Sequence, residues 1–96
     1  MRVVRLGALA ERDLFDIWQY TFVRWGEEQA DAYLDTIDRG IRLLIDHPDA
    51  GTKRDEVRHG YRVMFVNHHA IYYLVTPAAV RVVRILHERM DPQGRM

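Results

Sequence analysis

Ala79-Val80-Arg81-Val82-Val83-Arg84-Ile85-Leu86-His87-Glu88-Arg89-Met90-Asp91 is the stretch whose reading decides the fold. Val80, Val82, Val83 and Ile85 favour an extended chain, because two heavy substituents on Cβ restrict helical rotamers and pack well on a pleated surface. Both parities carry apolar groups, Val80, Val82 and Leu86 on one side and Val83 and Ile85 on the other. Such a strand belongs inside a sheet with both faces covered. Arg81 and Arg84 interrupt it, and His87, Glu88 and Arg89 follow at once, so charge sits where a buried strand runs out into solvent.

Working outward from that strand, Thr76-Pro77-Ala78 is a turn, and residues 70–75, with Ile71, Tyr72, Tyr73 and Leu74, form a strand that pairs back. Asn67-His68 reads as a two-residue hairpin turn, since asparagine tolerates positive φ. Residues 57–66 read as a third strand, with Tyr61, Val63 and Phe65 on one parity and Arg62, Met64 and Val66 on the other. A polar connector, 52–56, precedes it. Before that the period changes: Ala30, Tyr33, Leu34, Ile37, Ile41 and Leu44 mark one face of a helix over 27–46, roughly 30 Å long at 1.5 Å per residue. Asp35 with Arg39 and Asp38 with Arg42 are spaced for exposed helical pairs. Gly40 inside that helix implies either a close approach of the first helix or a slight bend. Pro48 disfavours helical geometry at His47, and Pro48-Asp49-Ala50-Gly51 makes a turn. An earlier helix begins at Ala8, with Ala10, Leu14, Ile17, Trp18, Thr21 and Trp25 as its stripe, and Gly26 ends it. Residues 2–6 are a short strand. The order predicts an α+β fold: an N-terminal strand, then an antiparallel helical hairpin packed on one face of a small antiparallel sheet. The expected helix contacts are Leu14, Ile17, Trp18, Trp25, Leu34, Ile37, Ile41 and Leu44.

At 96 residues the chain is expected to form one domain, residues 1–96, able to bury a single core. Without cysteine it has neither a disulfide framework nor a thiolate metal site. Lys plus Arg and Asp plus Glu each total 14, a balance that argues against wholesale wrapping of nucleic acid while leaving room for a local basic face. No signal-like start and no run of about 20 apolar residues is present, so a cytoplasmic protein without a membrane partner is expected.

Chemical motifs are sparse. The five histidines, His47, His59, His68, His69 and His87, include no i, i+4 helical pair for zinc. No phosphate-binding glycine loop is present, and the absence of serine excludes a serine nucleophile. Neither a cofactor nor a metal is expected. His68 and His69 read as polar residues at a hairpin tip. Tyr72 and Tyr73, adjacent on a strand, point to opposite faces and suit core packing better than base stacking. Arg62, Arg84 and Arg89 are suited to forked recognition of phosphate or carboxylate, although solvated sheet edges carry the same pattern.

The ordered run Asp13-Leu14, Ile17-Trp18, Trp25-Gly26, Gln29-Ala30, Tyr33-Leu34, Pro48, Gly51, Val57-Arg58-His59-Gly60-Tyr61-Arg62, Ile71-Tyr72-Tyr73 and Arg84-Ile85-Leu86-His87-Glu88-Arg89-Met90-Asp91 resembles the ParE branch of the RelE/ParE toxin family. The resemblance implies a bacterial type II toxin of a plasmid-stabilisation kind. Its partners would be a ParD-type ribbon-helix-helix antitoxin and DNA gyrase as target, with promoter DNA reached only through the antitoxin. RelE-like members instead cut messenger RNA on the ribosome with basic residues and a C-terminal tyrosine or histidine. Here Arg62 and Arg89 match two such basic positions, Glu56 stands near another, no tyrosine follows Tyr73, and His87 is the available substitute. The ParE reading therefore leads: a protein-binding inhibitor without catalytic residues, with Arg62, Arg84, His87 and Arg89 as candidate contacts on the non-helical side of the sheet. A RelE-like endoribonuclease and a non-toxic binding member of the fold stand as alternatives. An antitoxin segment is expected to cover the sheet face that the helices leave partly exposed.

Overall fold

The computed structural model describes residues 2–96. Strand β1 (Val3–Leu6) leads into helix α1 (Ala8–Trp25), then α2 (Glu27–Asp46), then β2 (Thr52–Lys53), β3 (Arg62–Val66), β4 (His69–Val75) and β5 (Ala79–His87). The sheet order is β1-β5-β4-β3-β2. The meander β3-β4-β5 is antiparallel as the turn spacing predicts, and Asn67, at φ 51°, makes the two-residue turn that pairs Val66 with His69. β1 runs parallel to β5, which makes the sheet mixed rather than purely antiparallel. The intervening helical hairpin supplies the long crossover that a parallel pair requires.

Helix α2 buries Ala30, Ile37, Ile41 and Leu44, four members of its predicted stripe. Ile37 and Ile41 pack with Ala10, Ile71, Val82 and Ile85, and Leu44 packs with Tyr73 and Val80. Gly40 does permit a close approach, but to the sheet: a Cβ there would lie 2.5 Å from Cγ2 of Val66 on β3. Arg42 forms the expected ion pair with Asp38 at 2.9 Å, whereas Arg39 reaches the Asp35 carbonyl and not its carboxylate. Helix α1 departs from its predicted stripe. Ala10 and Thr21 are buried and Leu14 and Ile17 pack against the core, but Trp25 is 71% exposed. It is the last helical residue before the chain turns at Gly26, beyond the cover of the sheet.

β5 carries the main correction to the alternation. Tyr72 pairs with Arg84 but Tyr73 pairs with Val82, so Val83 is a bulge. One extra residue reverses every later side chain. Ile85 thereby joins Val82 under the helices, and Leu86 turns to the opposite face with Val63, Ala70 and Tyr72. β1 ends opposite Val82, so the rest of β5 lacks a strand on that edge; Asp13 of α1 fills the gap, its Oδ2 accepting the Ile85 N–H at 2.9 Å.

The expected strand over 57–66 begins only at Arg62. Residues 54–61 form turns in which the Asp55 carboxylate accepts the Gly60 N–H at 2.8 Å, and the 52–56 connector contributes β2. This irregular segment has a covering job. Val57 and Met96 pack over Val63, Ala70, Tyr72 and Leu86, and Gln93 Nε2 donates to the Glu56 carbonyl at 3.3 Å. The middle of the sheet face opposite the helices is therefore covered by the chain itself, while Val3 and Phe65 at its margins stay 45% and 55% exposed.

Candidate functional site

The four candidate contact residues do not converge. Arg62 shares its side of β3 with Met64 and Val66, which pack under α2, so it lies on the helical side and not the opposite one. Its guanidinium donates to the Gly51 carbonyl at 2.7 Å and, more weakly, to that of Asp49 at 3.4 Å. Tyr73 completes this clasp, accepting the Gly51 N–H and donating to the Pro48 carbonyl, each at 2.8 Å. Burial raises the Tyr73 pKa. Arg84 makes a forked pair with Asp13, Nε to Oδ2 at 2.8 Å and Nη2 to Oδ1 at 2.9 Å, and also reaches the Arg95 carbonyl. The Asp13 hydrogen bond holds the Arg84 pKa above its usual value. This guanidinium links α1, β5 and the C-terminal segment. Arg89 is exposed on the turn after β5.

His87, carried to the helical side by the bulge, sits at the other end of the sheet from Arg62. Arg62 pairs with Tyr73 and Tyr73 with Val82, whereas His87 pairs with His69 and His69 with Val66. Four residues along a strand and two strand spacings across put the Cα atoms of Arg62 and His87 about 16 Å apart. The Arg62 guanidinium is held by the Gly51 and Asp49 carbonyls and shares no site with the His87 ring.

Around His87 the structure assembles residues that the sequence reading set aside. The His69 and His87 rings meet edge to face at 5.5 Å between centroids, and His68 and His87 stack at 6.4 Å. The Arg89 N–H donates to Nδ1 of His87 at 3.2 Å. His68 pairs with Glu88 at 2.6 Å, holding the Glu88 pKa below its usual value. Tyr33, from α2, lies 2.6 Å from Nδ1 of His69. Burial, then the neighbouring imidazoles, lower the His69 pKa, and burial raises that of Tyr33. The one available sequence signal was the hairpin itself: a two-residue turn at Asn67-His68 places His69 directly against whatever strand β4 pairs with. Among the described residues no group of three or more His, Asp or Glu side chains is arranged to hold a metal ion.

Two surfaces expose apolar groups to solvent. An open groove of about 810 Å³ runs between edge strand β1 and α2, floored by Val4, Leu6, Leu34, Ile37, Ile41 and Ile45 and rimmed by Asp31, Asp35, Asp38, Arg2 and Arg42. Beside it, α1 shows an aromatic flank. Trp18 stacks on Phe22 at 5.0 Å and donates its indole N–H to Asp31 at 2.8 Å, while Phe15, Phe22 and Trp25 are 60%, 44% and 71% exposed.

Comparison with known proteins agrees with this architecture. Residues 4–92 match the family model for the ParE toxin of the type II toxin-antitoxin system parDE. Toxin ParE1 of Mycobacterium tuberculosis is 39% identical over 87 residues, covering 90% of this chain and 89% of that protein. Toxin ParE1 of Caulobacter vibrioides is 34% identical over 96 residues, covering 100% and 99% respectively. A solved structure described as the chromosomal ParDE TA system from P. aeruginosa superposes with a TM-score of 0.79, covering 91% of this chain and 96% of that one at 20% identity, and so shares the fold. By sequence and by fold, this chain belongs to the ParE toxin family, the toxin side of a type II toxin-antitoxin system.

Proposed function

We propose that residues 1–96 act as one cytoplasmic toxin domain, inhibiting DNA gyrase by protein contact rather than by catalysis and neutralised by a ParD-type ribbon-helix-helix antitoxin. The observation that carries the non-catalytic reading is the separation of Arg62 from His87. Charge stabilisation and proton transfer at a scissile phosphate must act within hydrogen-bond reach of one another, and these groups occupy opposite ends of the sheet with Arg62 already committed to the Asp49 and Gly51 carbonyls. Gyrase enters the proposal through the family. The antitoxin segment lies in the β1–α2 groove: its apolar floor and mostly acidic rim suit an amphipathic partner bearing basic residues, and β1, at the sheet edge, offers free backbone groups to an extended one.

The purified toxin, given gyrase and a translating ribosome in separate reactions, is expected to block supercoiling while leaving messenger RNA intact. Ribosome-dependent RNA cleavage by the wild type, lost in Arg62→Ala, would overturn the reading. Leu34→Asp and Ile45→Asp, placed in the groove, are each expected to weaken antitoxin binding at least ~10-fold, the scale of a central interface residue.

A further inference from the structure

The zero net charge conceals a separation of charge between two layers. Helices α1 and α2 hold nine of the acidic residues and four of the basic ones, which leaves five acidic and ten basic residues for the strands, loops and C-terminal segment. The two helices are thus net negative by five and the rest of the chain net positive by five, even though Arg62 and Arg2 of the latter lie toward the helices. A charge asymmetry of this kind orients a protein toward a polyanion and raises its encounter rate without altering its overall charge.

Within the positive layer one pair stands out. Arg5 on β1 and Arg81 on β5 are register partners across the parallel pair, so their side chains leave the same face about 5 Å apart. Both are exposed and turn away from the helices, because their neighbours Val4, Leu6 and Val82 pack beneath α1 and α2. Directly opposed like charges destabilise a sheet, and no carboxylate forms a salt bridge with either among the described residues. Leu74 of β4 pairs with Arg81, and Gly60 packs over Leu74, bringing the 54–61 segment with its exposed Arg58 to the border of the row. The acids of this layer are largely occupied elsewhere: Asp55 accepts the Gly60 N–H, Glu88 holds His68, and Asp91 accepts the Gln93 N–H.

We infer that Arg5 and Arg81 form a contact surface for the phosphate backbone of duplex DNA, bound directly by the toxin and without regard to sequence. The absence of a stacking platform separates duplex from single strand. Binding of unpaired bases relies on exposed aromatic faces, whereas Tyr61 and Tyr72 are buried, at 8% and 6% exposure, and exposed Phe65 lies at the other end of β3–β4, paired with Ala70. The surface is separate from the groove and from the aromatic flank, so a toxin held by a protein partner can touch DNA at the same time.

The test uses the toxin alone with a fluorescent 25-base-pair duplex, followed by anisotropy from low to high salt, with no gyrase present; its failure is therefore distinguishable from failure of the gyrase reading. The wild type is expected to bind with strong salt dependence. Arg5→Gln/Arg81→Gln is expected to lower affinity at least ~10-fold at low salt and to reduce the slope of log K against log salt by about 1.8, the share of two phosphate contacts. Arg5→Lys/Arg81→Lys retains the charges and should bind as the wild type does. Arg12→Gln/Arg39→Gln makes the same change of net charge on the helical side and should leave the slope unaltered. The inference is overturned by no salt-dependent binding in the wild type, by an unchanged slope in the Arg5/Arg81 glutamine variant, by an equal loss in the Arg12/Arg39 variant, or by tighter binding of a single-stranded RNA of equal length.

Discussion

The two helices are joined by a single glycine and nearly equal in length, yet they treat their apolar residues differently. Helix α2 turns Ile37, Ile41 and Leu44 wholly into the core, and among its large apolar residues only Leu43, at 60%, is strongly exposed. Helix α1 buries only Ala10 and Thr21 fully and leaves Leu9, Phe15, Tyr20, Phe22, Val23 and Trp25 exposed. Hydrophobic residues beyond what the core can accept are the signature of a surface kept for another molecule. α2 places its large apolar residues in the core and along the β1–α2 groove, whereas α1 keeps an exposed aromatic flank, and substitutions in the two should separate into different readouts.

The largest effect on stability belongs to α2. Ile37→Ala removes methylenes from a fully buried position and is expected to cost about 2–5 kcal/mol in chemical denaturation. A loss below about 1 kcal/mol would break the distinction between the helices. Gly40→Ala comes next. Alanine gains about 1 kcal/mol of helix propensity, but its Cβ would meet Val66 Cγ2 at 2.5 Å on a stiff β-branched side chain. A net destabilisation of about 1–3 kcal/mol is expected, the usual cost of overpacking, and a stabilised variant would show that β3 yields there. Trp18→Ala loses one hydrogen bond and partial burial, so about 1–2 kcal/mol is expected. Trp25→Ala and Phe15→Ala should lie within about 0.5 kcal/mol of wild type in denaturation while weakening antitoxin binding measured by calorimetry; unchanged affinity in both would remove α1 from the interface.

A pH effect of smaller size sharpens the account of the sheet end. His69 has a folded-state pKa below its ordinary value of 6.5 because burial and the His87 and His68 rings disfavour its cation. The unfolded chain then binds more protons than the folded one, so the associated stability is complete above the unfolded pKa and is lost as pH falls through the folded one. Between about pH 7.5 and 5 the wild type should lose stability more steeply than His69→Gln. Parallel curves would remove His69 as the cause.

Much of the fold was legible in the sequence because local chemistry and tertiary packing agreed. The period of α2, the breaks at Gly26 and Pro48 and the turn at Asn67 lie where local rules place them. The failures were non-local. Alternation along β5 ignores the bulge at Val83 and so assigns Ile85 and Leu86 to the wrong faces and His87 to the non-helical side. Nothing in the run itself marks the bulge; its physical warrant is Asp13, which takes the Ile85 N–H and the Arg84 guanidinium from across the fold, and which reads locally as an ordinary acid at a helix start. Trp25 was placed in the core by periodicity, which assigns a residue to a face without knowing where the covering layer ends. The cover over the middle of the outer sheet face is illegible for the opposite reason: 54–61 and the C-terminal segment have no periodic pattern, yet Val57 and Met96 pack there. Of the candidate contacts, the sequence supplied the residue types but not their separation.

That separation is tested most directly by a double-mutant cycle on gyrase inhibition, using Arg62→Ala, His87→Ala and the combined variant, each verified as folded by thermal melt. Residues whose Cα atoms lie about 16 Å apart and that have no shared partner should contribute independently, so the loss in the combined variant is predicted to equal the product of the two single losses, each graded and neither complete. A combined variant no worse than the weaker of the two single variants is the behaviour of residues acting as one catalytic unit, and that result would contradict the account.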